Sequence, residues 1–259
     1  MNISWSDYGT TDQGRVRRIN EDAFLALPSL GGAGLWVVAD GMGGHEAGEV
    51  ASSSIVDSLL YLPPNPDFEV LVGSVVTTLE RVNEDLFRMG QQRKKGGVIG
   101  STVVALAVHE SGQAVCLWAG DSRLYLLRQD LLERLSKDHS HVQYLIDYGV
   151  IDEEQAESHP NANIVTKAVG ADATLSIDRN DFEVSDGDVL LLCSDGVTKE
   201  LHDDEINAAL KLRDPRHVVD RVMHAALESG GRDNITAVCV HVGTDDRDDD
   251  RTRRVSPLT

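Results

Sequence analysis

Six short apolar runs, each bounded by glycine or aspartate, constrain this chain more than any other feature: Leu35 to Ala39, Thr102 to Val108, Ala114 to Trp118, Leu124 to Leu127, Val189 to Cys193 and Ile235 to Val242. Their length and β-branched content mark them as strands. Their close spacing from Ser101 to Leu127 suggests hairpins, hence antiparallel pairing rather than a regular βαβ rhythm. Helical periodicity marks Glu46 to Leu60, Asp67 to Met89, Val142 to Tyr148, Asp203 to Leu212 and Pro215 to Glu228. Long helices mixed with antiparallel strands place the chain in the α+β class.

With 259 residues and 41% hydrophobic content, the chain can bury one large core and is read as one domain over residues 1–243. Gln91 to Gly97 is a polar, glycine-containing loop. From Ser136 to Asp178 the chain is polar, histidine-bearing and weakly periodic, which predicts a surface flap. Residues 244–259 are rich in Asp and Arg and are expected to form a disordered charged tail. The net charge of −19 disfavours nucleic acid and anionic membranes as partners. With no signal-peptide or membrane-spanning stretch, a cytoplasmic protein is expected. Cys116, Cys193 and Cys239 each lie inside an apolar run and read as reduced core residues.

Three of the runs end in aspartate, at Asp40-Gly41, Asp121-Ser122 and Asp195-Gly196, and a fourth pair, Asp233-Asn234, stands just before one. Carboxylates at the rim of a core are costly to desolvate unless a cation or hydrogen bonds compensate. Hard oxygen ligands of this kind suit Mg²⁺ or Mn²⁺. The plainer reading of each Asp-Gly is a turn in which glycine supplies a positive φ. A turn does not account for the segment Arg17-Arg18-Ile19-Asn20-Glu21-Asp22, which adds two acids and an arginine able to fork onto a phosphate. The glycines from Gly41 to Gly48 fit neither a dinucleotide loop, whose third glycine would fall at Glu46, nor a P-loop.

Taken in order, Arg17-x-x-Asn20-Glu21-Asp22, Asp40-Gly41-Met42-Gly43-Gly44, Gly100-Ser101-Thr102, Gly120-Asp121-Ser122-Arg123, Ser194-Asp195-Gly196 and Asp233-Asn234-Ile235-Thr236 resemble the motifs of the metal-dependent protein phosphatases, the 2C-like family, in its bacterial branch. The resemblance implies a four-layer α-β-β-α sandwich of two antiparallel sheets flanked by helices, with the metal centre at one edge. It implies that Asp40 bridges two Mn²⁺ or Mg²⁺ ions, with Asp195 and Asp233 on one and the Gly41 carbonyl on the other. Glu21 and Asp22 would hold metal-bound waters, Asp121 a third ion, and Arg17 the substrate phosphate. The implied substrates are phosphoserine and phosphothreonine in proteins, with a bacterial serine/threonine kinase as counterpart.

A water between two cations should lose its proton near neutral pH and attack phosphorus in line with the leaving oxygen. The proton donor stays open, because Met42 stands where eukaryotic relatives carry a histidine; His45, His159 and a metal-bound water are the candidates. Ala162 occupies a flap position where an arginine is common in the family. Two other functions stay in view: a phosphoprotein-binding regulatory module, and a hydrolase of small phosphate esters on the same fold.

Overall fold

A computed structural model of the chain describes residues 2–43, 47–93, 97–157 and 159–244. The chain begins with strands β1 (Ile3–Asp12), β2 (Asp22–Leu27) and β3 (Ala33–Met42), followed by helices α1 (Ala47–Leu60) and α2 (Phe68–Gln92). Strands β4 (Gly100–Ser101), β5 (Val103–His109), β6 (Gln113–Ala119), β7 (Arg123–Arg128) and β8 (Leu131–Arg134) come next, then helices α3 (His141–Asp147) and α4 (Glu153–Glu157). Strands β9 (Asp178–Glu183) and β10 (Val189–Cys193), helices α5 (Asp195–Thr198), α6 (Asp203–Leu210) and α7 (Pro215–Ser229), and strand β11 (Ile235–Thr244) complete it.

Two antiparallel sheets result, in the orders β1-β11-β10-β7-β8 and β2-β3-β5-β6-β9, with β4 paired to β3. The strands alternate with a period of two between an inner and an outer face. Trp36, Val38, Val104, Leu106, Leu190, Leu192, Val238 and Val240 meet between the sheets. Their neighbours Leu35, Val37, Val103 and Ala105 pack under α1 and α2. Leu191, Cys193, Ala237 and Cys239 pack under α6 and α7. Because both faces of the central strands are buried, they read as unbroken apolar runs. The four-layer α-β-β-α sandwich of the α+β class is therefore the architecture. All three cysteines are buried and unpaired.

The expected run of hairpins is only partly realised. β5 and β6 pair as a hairpin, but β6 and β7 lie in different sheets, and residues 120–122 carry the chain from one to the other. Trp118 and Leu124 on either side both face the inter-sheet core, so the chain crosses that core instead of folding back beside itself. Residues 135–177 form an excursion whose helices, among the described residues, are the short α3 and α4. Its far end is pinned at Val169, which bridges to Ser101, and at Gly170, whose N–H donates to the buried Asn83 Oδ1 at 2.7 Å. Strand β11 continues to Thr244, one residue past the expected domain limit, and the expected tail otherwise lies outside the described residues. Among the described residues, no helix is long and apolar enough to cross a membrane.

Candidate metal centre

At one end of the sandwich the inter-sheet face changes from apolar to polar without changing its parity. Asp22 follows the parity of Phe24 and Ala26, Asp40 that of Trp36 and Val38, and Thr102 that of Val104. Ser122 follows Leu124, Ser194 follows Leu192, and Thr236 follows Val238. These six residues form a polar lip at this end of the layer, and the hydroxyls of Ser194 and Thr236 bond to the carboxylate of Asp22. Asp22 lies opposite Asp40 in the β2–β3 pairing. Its Oδ2 accepts from Ser194 Oγ and from Thr236 Oγ1, each at 2.7 Å. The Asp40 N–H donates to Thr102 Oγ1 at 3.1 Å, and its carbonyl accepts from the Thr102 N–H and from Ser101 Oγ. Thr102 Oγ1 and Ser122 Oγ share a hydrogen bond of 2.7 Å, tying β5 to the crossover that carries Asp121.

Asn234 fixes the remaining motif. Its Oδ1 accepts from the Glu21 N–H at 2.9 Å, and its Nδ2 donates to the carbonyls of Gln13 and Ile19. The loop bearing Arg17, Glu21 and Asp22 is thereby clamped to the start of β11. The two Asp-Gly glycines serve packing and not a turn, since neither has a positive φ. A Cβ on Gly41 would lie 2.0 Å from the Gly48 carbonyl oxygen, and one on Gly196 would lie 1.9 Å from that of Asn234. Only glycine allows backbone to approach this closely beside Asp40 and Asp195.

Burial is the main cause that pushes the Asp40 carboxyl well above the ordinary range, with Asp22, Asp195, Asp121 and Asp233 adding repulsion. Burial likewise raises Asp22 and Asp121 to about 7, with repulsion from Asp195 acting on both. Glu21 is raised for the same first reason, against the attraction of Arg17. Among the described residues, four carboxylate oxygens here are buried without a hydrogen-bond partner: Glu21 Oε1, Asp22 Oδ1, Asp121 Oδ1 and Asp195 Oδ1. Bare buried carboxylate oxygens in mutually repelling acids are what a divalent cation would satisfy, so the donor set fits Mg²⁺ or Mn²⁺. As placed, no three His, Cys, Asp or Glu side chains among the described residues already form a closed cage for an ion. Asp233 and Asp195 instead lean on cations of the chain itself.

Arg17, 46% exposed at its side chain, brings Nη2 to 2.8 and 2.9 Å from the two Asp233 oxygens. Lys199 Nζ contacts Asp195 and lies 3.2 Å from Asp233 Oδ2. Despite its burial, the ammonium is held above its usual range by these two carboxylates. Lys199 is not foreseen from the sequence, nor are the hydroxyls of Thr102, Ser122, Ser194 and Thr236. Four of those five were visible inside or beside the quoted motifs; Lys199 follows a helix of one turn, too short to show a period.

The expected site residues Arg17, Glu21, Asp22, Asp40, Gly41, Asp121, Asp195 and Asp233 all converge on this lip. His159 makes its contacts within the excursion, accepting from the Asn161 N–H at 3.1 Å and lying 6.2 Å from the His141 ring. His45 lies outside the described residues. His139, which sequence reading did not single out, accepts from the Gly120 N–H through Nδ1 at 3.1 Å and meets Asp178 through Nε2 at 3.2 Å. It links the Asp121 crossover to the excursion.

The family model for protein phosphatase 2C matches residues 13–237. The serine/threonine phosphatase Stp of Listeria innocua is 34% identical over 235 residues, 89% of this chain and 93% of the relative. Among solved structures, PppA, a key regulatory component of T6SS in Pseudomonas aeruginosa, is 43% identical with a TM-score of 0.84, covering 93% of this chain and all of that one. The catalytic domain of serine/threonine phosphatase PstP in complex with two manganese ions is 30% identical with a TM-score of 0.79, covering 93% of this chain.

Proposed function

The chain belongs to the protein phosphatase 2C family, as a serine/threonine protein phosphatase of the bacterial kind, and from that premise we propose that its lip of acids is a two-ion hydrolytic centre. The observation that carries the assignment is the set of bare carboxylate oxygens on Glu21, Asp22, Asp121 and Asp195, gathered near an Asp40 whose carboxyl is raised by burial first and by its acidic neighbours second. In this reading Asp40, Asp195, Asp233 and the Gly41 carbonyl would be the groups that hold the ions directly. Glu21 and Asp22 would act through water, and Asp121 with Asp195 would hold a third ion. Bound there, Mn²⁺ or Mg²⁺ supplies a nucleophilic water at neutral pH and compensates charge on the phosphoryl group.

The chain's own residues supply position. Thr102 and Ser101 hold the Asp40 backbone, while Ser194 and Thr236 fix one oxygen of Asp22 and leave the other facing the acids. Arg17, exposed beside Asp233, reaches the substrate phosphate and orients it. The clamp from Asn234 to the Glu21 N–H sets the height of that arginine loop over the acids. Phosphorylated proteins are the substrates, and a serine/threonine kinase that makes those phosphosites is the proposed counterpart. A cytoplasmic setting accords with three unpaired cysteines.

Phosphopeptide hydrolysis measured with Mn²⁺, with a chelator, and in Asp40→Asn and Asp195→Asn tests the assignment. Release of phosphate should require the ion and both carboxylates; activity indifferent to chelation would overturn it. Comparison of kcat/KM on phosphoproteins and free nucleotides separates a protein phosphatase from a general ester hydrolase, and phosphoproteins should be preferred.

A further inference from the structure

Lys199 brings a positive charge to the place where the acids ask for one. Helix α5 is a single turn begun by Asp195 and capped by Lys199, whose N–H donates to the Asp195 carbonyl at 2.8 Å. Four residues on, the lysine side chain points back toward the start of the turn. Its Nζ there contacts Asp195 Oδ2 and stands 3.2 Å from Asp233 Oδ2. Asp233 is engaged at both oxygens, since Arg17 touches each and the Asn234 N–H donates to Oδ1 at 2.9 Å. Asp195 keeps one bare oxygen, Oδ1. Two carboxylates that are to share a cation are thus already joined by an ammonium.

We propose that Lys199 is a tethered cation that holds Asp195 and Asp233 together in the metal-free protein and is displaced when a divalent ion takes its place. The inference rests on the metal assignment above. An ammonium and a divalent ion cannot both sit between the same two carboxylates without strong repulsion. Lysine suits the exchange, because it is a point charge on a flexible stem with no fixed fork to break. Its side chain is 35% exposed, so water is at hand when it withdraws. The affinity of the site for its ion is then the difference between two bound cations, and Lys199 sets the lower limit of ion concentration at which the site fills.

Calorimetric titration of the full chain with Mn²⁺ tests this in the wild type, Lys199→Met and Lys199→Arg, together with Tm in chelator. Lys199→Met should bind Mn²⁺ on the order of tenfold more tightly, as expected for loss of one partly exposed competing charge. It should also melt earlier in chelator, while Lys199→Arg should melt close to the wild type. Equal Mn²⁺ affinity and equal Tm, or weaker binding by Lys199→Met, would overturn the proposal while leaving the metal assignment standing. Absence of Mn²⁺ binding in every form would overturn both. Should Lys199→Met fail to fold, the wild type still decides. Acylation of Lys199 by an amine reagent, read by peptide mass spectrometry, should rise severalfold on adding Mn²⁺; labelling that stays constant or falls contradicts displacement.

Discussion

Asp188 and Asp195 flank the same strand, β10, at its opposite ends, and they are treated in opposite ways. Asp188 is 2% exposed, and both of its oxygens are used: Arg128 Nε and Nη2 donate to Oδ1 and Oδ2 at 2.9 and 2.6 Å, and the Ser185 N–H donates to Oδ2 at 2.7 Å. Asp195 keeps Oδ1 buried and bare, and it shares its surroundings with four further acids that repel Asp40 or one another. Burial of a carboxylate is therefore not what distinguishes the functional end. A paired and fully bonded acid is structure; lone pairs left over in a cluster of like charges carry a cost that a proton or a cation removes.

The largest expected effect tests the functional end. Asp40→Asn should lower kcat by roughly a thousandfold, or about 4 kcal/mol in the barrier. It should also leave Tm in chelator unchanged or higher, because it removes one member of a repelling cluster. Steady-state kinetics on a phosphopeptide and thermal melts in chelator check the two halves. A variant that loses activity by melting would erase the contrast with Asp188.

Dependence on pH should also divide the two ends. Asp22 and Asp121 carry folded-state pKa values raised to about 7, against about 3.9 in an unfolded chain. Between these values the folded protein keeps protons that the unfolded chain has released, so stability falls as pH rises. The contribution is fully present below about pH 4 and lost as pH climbs through about 7. One such group titrating across two pH units contributes at most about 3 kcal/mol. The Tm in chelator should therefore fall by several degrees from pH 5 to pH 7. Saturating Mn²⁺ should flatten or reverse the trend, since a bound cation favours the ionised acids. A chelator melt insensitive to pH would contradict the picture of unpaired acids.

The reciprocal test at the structural end is Asp188→Ala, which leaves Arg128 and the Ser185 N–H without their partner. It should cost about 2 kcal/mol in unfolding free energy, since the half-exposed Arg128 keeps the Glu183 carbonyl and can turn to water, and leave kcat within roughly twofold, because nothing at Asp188 faces the acids. Denaturant unfolding with parallel kinetics measures both.

The same contrast explains what the sequence disclosed. The central strands were legible because both faces are buried. Of the strands missed, β4 is a two-residue pairing to β3, and β1, β2, β8 and β9 are the four edges of the two sheets, where one flank meets solvent and sequences such as Asp178–Glu183 alternate in burial and carry charge. Asp40, Asp121 and Asp195 were legible because each ends an apolar run and Asp233 because it stands just before one, while Glu21 and Asp22 were legible only in the company of Arg17 and Asn20. The hydroxyls that orient them were not, since a Ser or Thr beside an Asp is ordinary in any turn. Their role depends on the crossover at residues 120–122 and on the pairing of β2 with β3, which place distant positions on one lip. Lys199 was hidden for the same reason, because its meaning lies in reaching Asp233, thirty-four residues away.

The smallest effect probes how the hydroxyls hold the acids. Thr236→Val keeps the shape of a buried residue and deletes one of the two hydroxyls donating to Asp22 Oδ2, leaving Ser194 Oγ in place. A hydrogen bond to a charged group contributes roughly 1.5–3 kcal/mol, but Asp22 at about 7 is largely protonated in chelator below neutral pH. The stability loss should therefore be about 1 kcal/mol at pH 6 and larger at pH 8, where the carboxylate needs both donors. Removal of an outer partner of this kind should weaken Mn²⁺ binding by about tenfold, the low end for such partners because Ser194 Oγ remains. A loss of stability independent of pH would mean that Thr236 serves packing alone. The polar lip would then be a set of separate acids and not one hydrogen-bonded unit.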